Sequence, residues 1–433
     1  MRIGNIEPLN FIKTPSDYPV WLAEGKAWSL LPGDHLMVSF PAEAAPSGDF
    51  ESILKEAGFM NPLRVYSNEQ PLKEGLVLTV TYRCNQHCVY CDSPTDVKKS
   101  DVDNHIIDAT VEMAARYSDL KGYMDITFYG GEPTLRPDLI ERTLWIMEMS
   151  GIPYRTSIAT NGSCSEEALN RILNHNINFR VSLDMCTENL HDRMRGKSSF
   201  NTAVSAIKKI VQRGKTVTPR VTVTSENVGM MREIAAFCKR LGCKGITFAP
   251  VKSYFGSSVE SKALIPGAEE YVQNWFEAQK ESDEKFSLFK DIYSYILNGN
   301  ILFFCPSLHI LPDGLIVPGR PEARFVPEYS LGYVQDRQWT LLEERAVNMK
   351  RLQRQKSEKH CKGCLARTVC NGNTMMAEIS LDRPIKMEEN LSCRIVRLTL
   401  SEILARIFKT RKENQYQKQR IGGYEFFNYE GRI

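Results

Sequence analysis

Cys84, Cys88 and Cys91 stand together as C-x3-C-x2-C, directly after an apolar run that reads as a strand. Three thiolates on one short loop can wrap a cube of iron and sulfur, which is much wider than a single ion. A fourth cysteine would close the coordination, yet the nearest one downstream is Cys164. Three protein ligands leave one iron open, and an open metal position is the mark of chemistry rather than of structural support. A zinc site or three unrelated core cysteines are the other readings of this spacing. Farther along comes Phe128-Tyr129-Gly130-Gly131-Glu132-Pro133, where two glycines let the backbone approach a ligand and Glu132 offers an anionic acceptor; a plain turn is the alternative. Late in the chain Cys361-x2-Cys364-x5-Cys370 is followed by Cys393, four thiolates that could fully ligate zinc or a [4Fe–4S] cluster.

These groups need elements to hold them. From Gly75 onward, β-rich runs alternate with helix-period segments. The expected strands are 76–82, 124–129, 155–160, 178–183, 220–224 and 245–250, and the expected helices are 102–118, 137–149, 165–175, 201–213 and 228–241. Such alternation implies βαβ units, a parallel sheet and right-handed crossovers, with ligands gathered at the C-terminal strand ends. The motifs fall at those ends. Within 1–74, Trp21 to Leu31 and His35 to Phe40 could be strands and Asp49 to Gly58 a helix. Residues 266–300 read as helical. Leu308–Leu311 and Leu315–Val317 read as a hairpin about Pro312-Asp313-Gly314. Residues 391–412 suggest an amphipathic helix, and the basic stretch Lys409 to Arg420 reads as a solvated helix end that could instead touch an acidic partner or membrane surface.

The chain has 433 residues, 42% hydrophobic and 25% charged, as a soluble globular protein of two or three domains would. Lys plus Arg number 55 against 52 Asp plus Glu, a net +3 that gives no argument for nucleic acid. No apolar run reaches membrane-span length and no signal peptide is expected at the start, so a cytoplasmic location is the expectation. The twelve cysteines then suggest metal or catalysis rather than disulfides.

Over about residues 75–255 the sequence resembles the radical SAM superfamily, whose cysteine triad carries an aromatic residue before its third member, here Tyr90. The resemblance implies a partial (β/α)6 TIM-like barrel. Its [4Fe–4S] cluster would lie on Cys84, Cys88 and Cys91 and bind S-adenosylmethionine, whose reductive cleavage releases a 5′-deoxyadenosyl radical. It implies cofactor contacts at Gly130, Gly131 and Glu132 for the ammonium group, at Asn161, and at Ser182 and Arg195 for ribose and carboxylate, with Arg193 the competing arginine. Segment 305–393 resembles the SPASM extension, a small cysteine-rich C-terminal domain. Two of its usual seven cysteines are replaced by Gly319 and Thr374, and an acidic position is Arg320. All four ligands of its second auxiliary cluster are present at Cys361, Cys364, Cys370 and Cys393. One auxiliary [4Fe–4S] cluster is therefore expected, with Cys305 an ordinary buried cysteine.

The expected organisation is an N-terminal module at 1–74, the radical SAM core at 75–255, a helical linker at 256–300, the extension at 301–400, and a helix and tail at 401–433. The resemblance implies an oxidoreductase of the peptide-maturase type that cross-links, epimerises or oxidises a ribosomally made peptide or protein, fed by a flavodoxin- or ferredoxin-type donor. A dehydrogenase or rearrangement enzyme for an aminocyclitol or sugar, and a non-catalytic zinc protein, are the alternatives. No catalytic side chain is assigned.

Overall fold

The structure is a computed structural model that describes residues 7–8, 20–23, 26–31, 36–41, 75–91, 101–251, 263–288, 307–360, 390–399, 402, 416–421 and 424–429. The expected helix at 49–58, Cys305, Thr374 and the run Cys361, Cys364, Cys370 lie outside these residues.

The centre is a run of parallel strands in chain order: β5 (Gly75–Thr81), β6 (Met124–Gly130), β7 (Tyr154–Thr160), β8 (Asn178–Val181), β9 (Arg220–Val223) and β10 (Gly245–Pro250). Strands β5 to β8 pair continuously, and β9 pairs with β10. Isolated bridges Phe179↔Val217 and Ser182↔Arg220 carry the sheet from β8 to β9. Helices α1 (Asn104–Lys121), α2 (Pro137–Met149), α3 (Glu166–Leu173), α4 (Glu188–Arg195), α5 (Ser199–Gln212) and α6 (Met231–Arg240) alternate with them. This is the α/β order expected of a partial (β/α)6 barrel, and the sheet is open: no pairing among the described residues closes it.

The strands alternate because they have two different jobs. Met124, Ile126 and Phe128 of β6 are fully buried against the helices, in one core with Val181, Val221 and Val223. Asp125, Thr127 and Tyr129, and likewise Arg180 and Arg220, remain part-exposed on the other face. A parallel sheet packed on both faces would be apolar throughout; here one face is kept polar.

The sheet continues past the boundary expected near residue 300. Strand β12 (Ser307–Ile310) pairs parallel with β5 and antiparallel with β13 (Leu315–Pro318), which pairs with β14 (Gly332–Tyr333). The β12–β13 hairpin is the one expected about Pro312-Asp313-Gly314, with Gly314 at φ +85°. The helical reading of 266–300 holds for α7 (Ala268–Gln279). It fails at β11 (Ser287–Leu288), which pairs with β10 because Phe286 and Leu288 bury their side chains beside that edge. Helix α8 (Trp339–His360) had no counterpart in the sequence reading.

Both ends of the chain share a second, antiparallel sheet. Strands β1 (Glu7–Pro8), β2 (Val20–Ala23), β3 (Lys26–Leu31) and β4 (Leu36–Pro41) run in order, and β16 (Tyr424–Tyr429) and β15 (Tyr416–Ile421) follow β4. Residues 416–420 are therefore strand, not the helix end expected for the basic tail; pairing with β16 supplies their backbone partners. No helix among the described residues is long and apolar enough to cross a membrane.

The end of β6 is bound to the end of β5 more tightly than a side chain permits. Gly131 N–H donates to the Thr81 carbonyl and Glu132 N–H to the Arg83 carbonyl, both at 2.8 Å. A Cβ on Gly130, which sits at φ +151°, would meet the Thr81 carbonyl oxygen at 2.2 Å, and one on Gly131 would meet that of Arg83 at 2.3 Å. The close approach expected of the two glycines is thus made to the chain's own backbone, at the base of the cysteine loop. Gly130→Ala should lower stability by about 2–4 kcal/mol, since strained backbone and overlap with a carbonyl add; an unfolding midpoint within error of the parent would contradict this.

Candidate functional site

Cys84, Cys88 and Cys91 follow β5 on a loop fixed at several points. Val89 N–H donates to the Met194 carbonyl and Cys91 N–H to the Cys88 carbonyl, each at 3.0 Å. At the loop's base Arg83 and Thr81 both donate to Asp101, at 3.0 Å from Arg83 Nε and 2.6 Å from the hydroxyl, and Arg136 joins them. Burial opposes ionisation of Asp101, but these hydrogen bonds outweigh it and hold the carboxyl below its ordinary range. The thiols of Cys84 and Cys88 are half-buried, and that of Cys91 is exposed. Among the described residues no three such side chains stand close enough to share a single metal ion.

The donors around these sulfurs favour thiolates. Gln86 N–H lies 3.4 Å from Cys84 Sγ, Asn161 Nδ2 3.9 Å from the same atom, and Arg195 Nη1 3.9 Å from Cys88 Sγ. As free thiols they resist ionisation: burial pushes Cys88 up to about 11 against the pull of Arg195, with Cys91 and Cys84 adding to the rise. A bound cation reverses that balance, because it is the largest charge in its site and deprotonates coordinating thiols. The loop therefore fits a multinuclear positive group held by three sulfurs.

Glu132 is fully buried, and its carboxylate turns inward. It accepts from Thr134 N–H (3.1 Å) and Oγ1 (2.6 Å), from Thr160 Oγ1 (2.7 Å) and from Asn161 N–H (2.6 Å). Burial still raises its pKa. The carboxylate thus ties β6 to the end of β7 and sets Asn161, whose Nδ2 donates to Asn85 Oδ1 at 2.9 Å and so reaches the cysteine loop. Four protein donors make this side chain a positioning group for the loop.

The other side of the loop rests on a residue two positions after Ser182 that the sequence reading did not single out. Asp184, fully buried beyond β8, accepts from Arg195 Nε at 2.6 Å, from Thr222 N–H at 2.7 Å and from the Tyr90 hydroxyl. Its carbonyl accepts from Asn227 Nδ2 at 3.0 Å. Arg195 lies 5.6 Å from the Tyr90 ring centroid. Burial works against its charge, but Asp184, Tyr90 and Cys88 outweigh that and hold it firmly protonated. Burial drives the Tyr90 hydroxyl well above its ordinary range, so it stays a donor. Arg193 is exposed and pairs with Glu226 at 3.1 Å, which separates the two candidate arginines. Ser182 is half-buried, with its N–H on the Thr160 carbonyl at 2.9 Å. His87 is exposed, and Cys238 is buried in the core.

Of the late cysteines only Cys393 is described, half-buried in the helical stretch 391–399. Arg320 occupies its position before a short 3-10 turn, and two residues on Glu322 is buried with Oε2 unpartnered. Nothing in spacing announced Glu322.

Residues 78–238 match the Radical SAM superfamily. The PqqA peptide cyclase of Gluconobacter oxydans is 28% identical over 207 residues, 46% of this chain and 55% of that protein. The mycofactocin maturase MftC of Mycolicibacterium smegmatis is 29% identical over 194 residues, 42% of this chain and 46% of that protein. The chain spans about half the length of these relatives. In fold it is similar to anSMEcpe with bound AdoMet, with a TM-score of 0.62 at 18% identity over 78% of this chain and 99% of that one.

The Asp184–Arg195 pair predicts an asymmetry. Asp184→Asn leaves a buried guanidinium without its counter-charge and should cost about 3 kcal/mol or more in urea unfolding. Arg193→Ala, at the exposed pair, should change stability by less than about 1 kcal/mol. Equal effects would contradict the assignment.

Proposed function

Residues 78–238 form a radical SAM domain, and from that premise we propose that the protein reductively cleaves S-adenosylmethionine and abstracts a hydrogen atom to modify a ribosomally made peptide or protein. The family implies a [4Fe–4S] cluster and S-adenosylmethionine. When bound on Cys84, Cys88 and Cys91, the cluster would supply the cofactor with an open iron and the electron for its cleavage. The observation that carries the reading is the site of those sulfurs: one loop at the C-terminal rim of the parallel strands, with amide and guanidinium donors toward them.

The chain's own residues then have distinct tasks. Gly130 and Gly131 allow the β6 end to brace the loop. Glu132 sets Asn161, and Asp184 sets Arg195 and Tyr90. Ser182, Asn161 and the backbone around Gly131 are the polar groups at the rim that we assign to holding the cofactor. Arg195 contributes a fixed positive charge beside Cys88, which favours the thiolate and disfavours loss of the electron-rich state. A ligated Cys361, Cys364, Cys370 and Cys393 would carry one auxiliary [4Fe–4S] cluster for electron transfer or structural support. A flavodoxin- or ferredoxin-type donor and a cytoplasmic setting complete the proposal. The kinship with peptide cyclases and maturases supports a peptide as substrate over a sugar.

Anaerobically purified protein should contain iron and acid-labile sulfide and, with dithionite, should release 5′-deoxyadenosine. Replacing Cys84, Cys88 and Cys91 by Ala should bring release down to the protein-free rate. Zinc in place of iron, or release unaltered in the triple variant, would overturn the proposal.

A further inference from the structure

The polar face of the sheet carries positive charge that no feature so far uses. Arg180 of β8 and Arg220 of β9 are half-buried and point away from the helix-side core residues Val181 and Val221 that neighbour them. Among the described residues neither guanidinium takes part in an ion pair or a side-chain hydrogen bond. The strand register places them near the rim. Arg180 pairs with Ala159, Tyr129 with Thr79, and Arg220 bridges Ser182, the residue that follows β8 just before Asp184.

In a fold similar to that of anSMEcpe, strands far apart in the sheet's order face one another across its inner side. Flat, β12 and β9 would be separated by five strand spacings, about 24 Å. Charges so far apart are screened to little in water. Yet His309 of β12 feels both Arg220 and Arg320: burial, with those two charges, pushes its imidazole down to about 3. His309 is therefore neutral at pH 7. It is 7% exposed, its Nδ1 has no partner, and its ring meets Tyr129 edge-on at a centroid distance of 5.8 Å. Thr79, 1% exposed and paired with Tyr129, also has an unpartnered hydroxyl. Arg180 is held less basic than usual by burial and by the charge of Arg220, with Asp125 opposing. Two like charges kept near each other, neither in a described ion pair although Asp125 partly offsets Arg180, beside two buried polar groups without partners, are the arrangement that an anion would complete.

We propose that Arg180 and Arg220, with His309 and Thr79 at the opposite wall, form a carboxylate-recognition site on the inner face of the sheet that holds the substrate below the cysteine loop. The inference rests on the radical SAM reading for what is done to the substrate, and it adds the substrate's chemistry: the segment that enters the sheet carries an acidic side chain or a free C-terminal carboxylate. A guanidinium takes a carboxylate bidentately, so the two arginines fix both the position and the orientation of the bound group.

The test is a set of NMR titrations of the full-length, cluster-loaded protein with four small probes, each followed by broadening of its methyl signals. N-acetyl-glutamate methylamide and N-acetyl-glutamine methylamide examine a side-chain carboxylate. N-acetyl-alanine and its methylamide examine a terminal one. At least one acidic probe should bind about tenfold more tightly than its neutral partner, and which pair shows the preference identifies the source of the carboxylate. In Arg180→Gln and in Arg220→Gln the preference should shrink toward unity; Arg220→Lys should retain part of it. The preference should persist with S-adenosylmethionine saturating. Acidic and neutral probes that bind alike, or fail alike, in the parent protein overturn the proposal without recourse to any variant. So does displacement of the acidic probe by S-adenosylmethionine, which would give these arginines to the cofactor's own carboxylate. Release of 5′-deoxyadenosine under dithionite, measured on the same preparation, decides the radical SAM reading separately, because probe binding does not require turnover.

Discussion

One buried carboxylate organises the site. Asp184 joins three segments remote in sequence: the tyrosine of the cysteine loop, the arginine at the end of α4, and the backbone of β9. At 2.6 Å and an effective dielectric constant near 20, its attraction to Arg195 is about 6 kcal/mol. Removing two ions from water costs several kcal/mol each, so the pair contributes little net stability. Its worth is geometric. Once both ions are buried, neither can leave without exposing the other, and Arg195 stays beside Cys88 while Tyr90 stays against the wall of the site. Glu132 does the corresponding work on the opposite flank, where a fully buried carboxylate with four donors joins β6 to β7 and orients Asn161 toward the loop. The cysteine loop is thus clamped between two buried acids.

This arrangement explains the two-faced strands. The helix side of the sheet is apolar and supplies the core. The inner side carries Thr127, Tyr129, Arg180 and Arg220, groups that a purely structural sheet would not bury part-way. The stability of the apolar side permits the polar one, and the cysteine loop sits at the rim where the two faces meet.

Much of the frame was legible because it is local. Alternation at Met124–Gly130 and the apolar spacing of Pro137–Met149 encode their own conformations, and the strand-to-helix order fixes the parallel sheet. The place of the cysteine triad at a strand end was legible because an apolar run leads directly into it. Other features depend on partners far along the chain. The pairing of β4 with β16 joins residues 36–39 to 425–428, and no local pattern announces it. Helix α4 was missed because so few of its residues are apolar; its identity lies in a buried His191, Met194 and Arg195. Gly130 and Gly131 were legible as a close approach, but a sequence does not say to what, and the approach is to Thr81 and Arg83. Asp184 stands two residues after Ser182, yet its role emerges only when Tyr90 and Arg195 are brought to it.

In the proposed function, the loop of Cys84, Cys88 and Cys91 holds a cluster with one iron open to S-adenosylmethionine. Electron paramagnetic resonance of the dithionite-reduced protein tests it directly, in a Cys361→Ala, Cys364→Ala, Cys370→Ala background that leaves only the loop's cluster. The expected result is a reduced [4Fe–4S] signal whose shape changes when S-adenosylmethionine is added. A signal indifferent to the cofactor, or none from protein that contains iron, would contradict it.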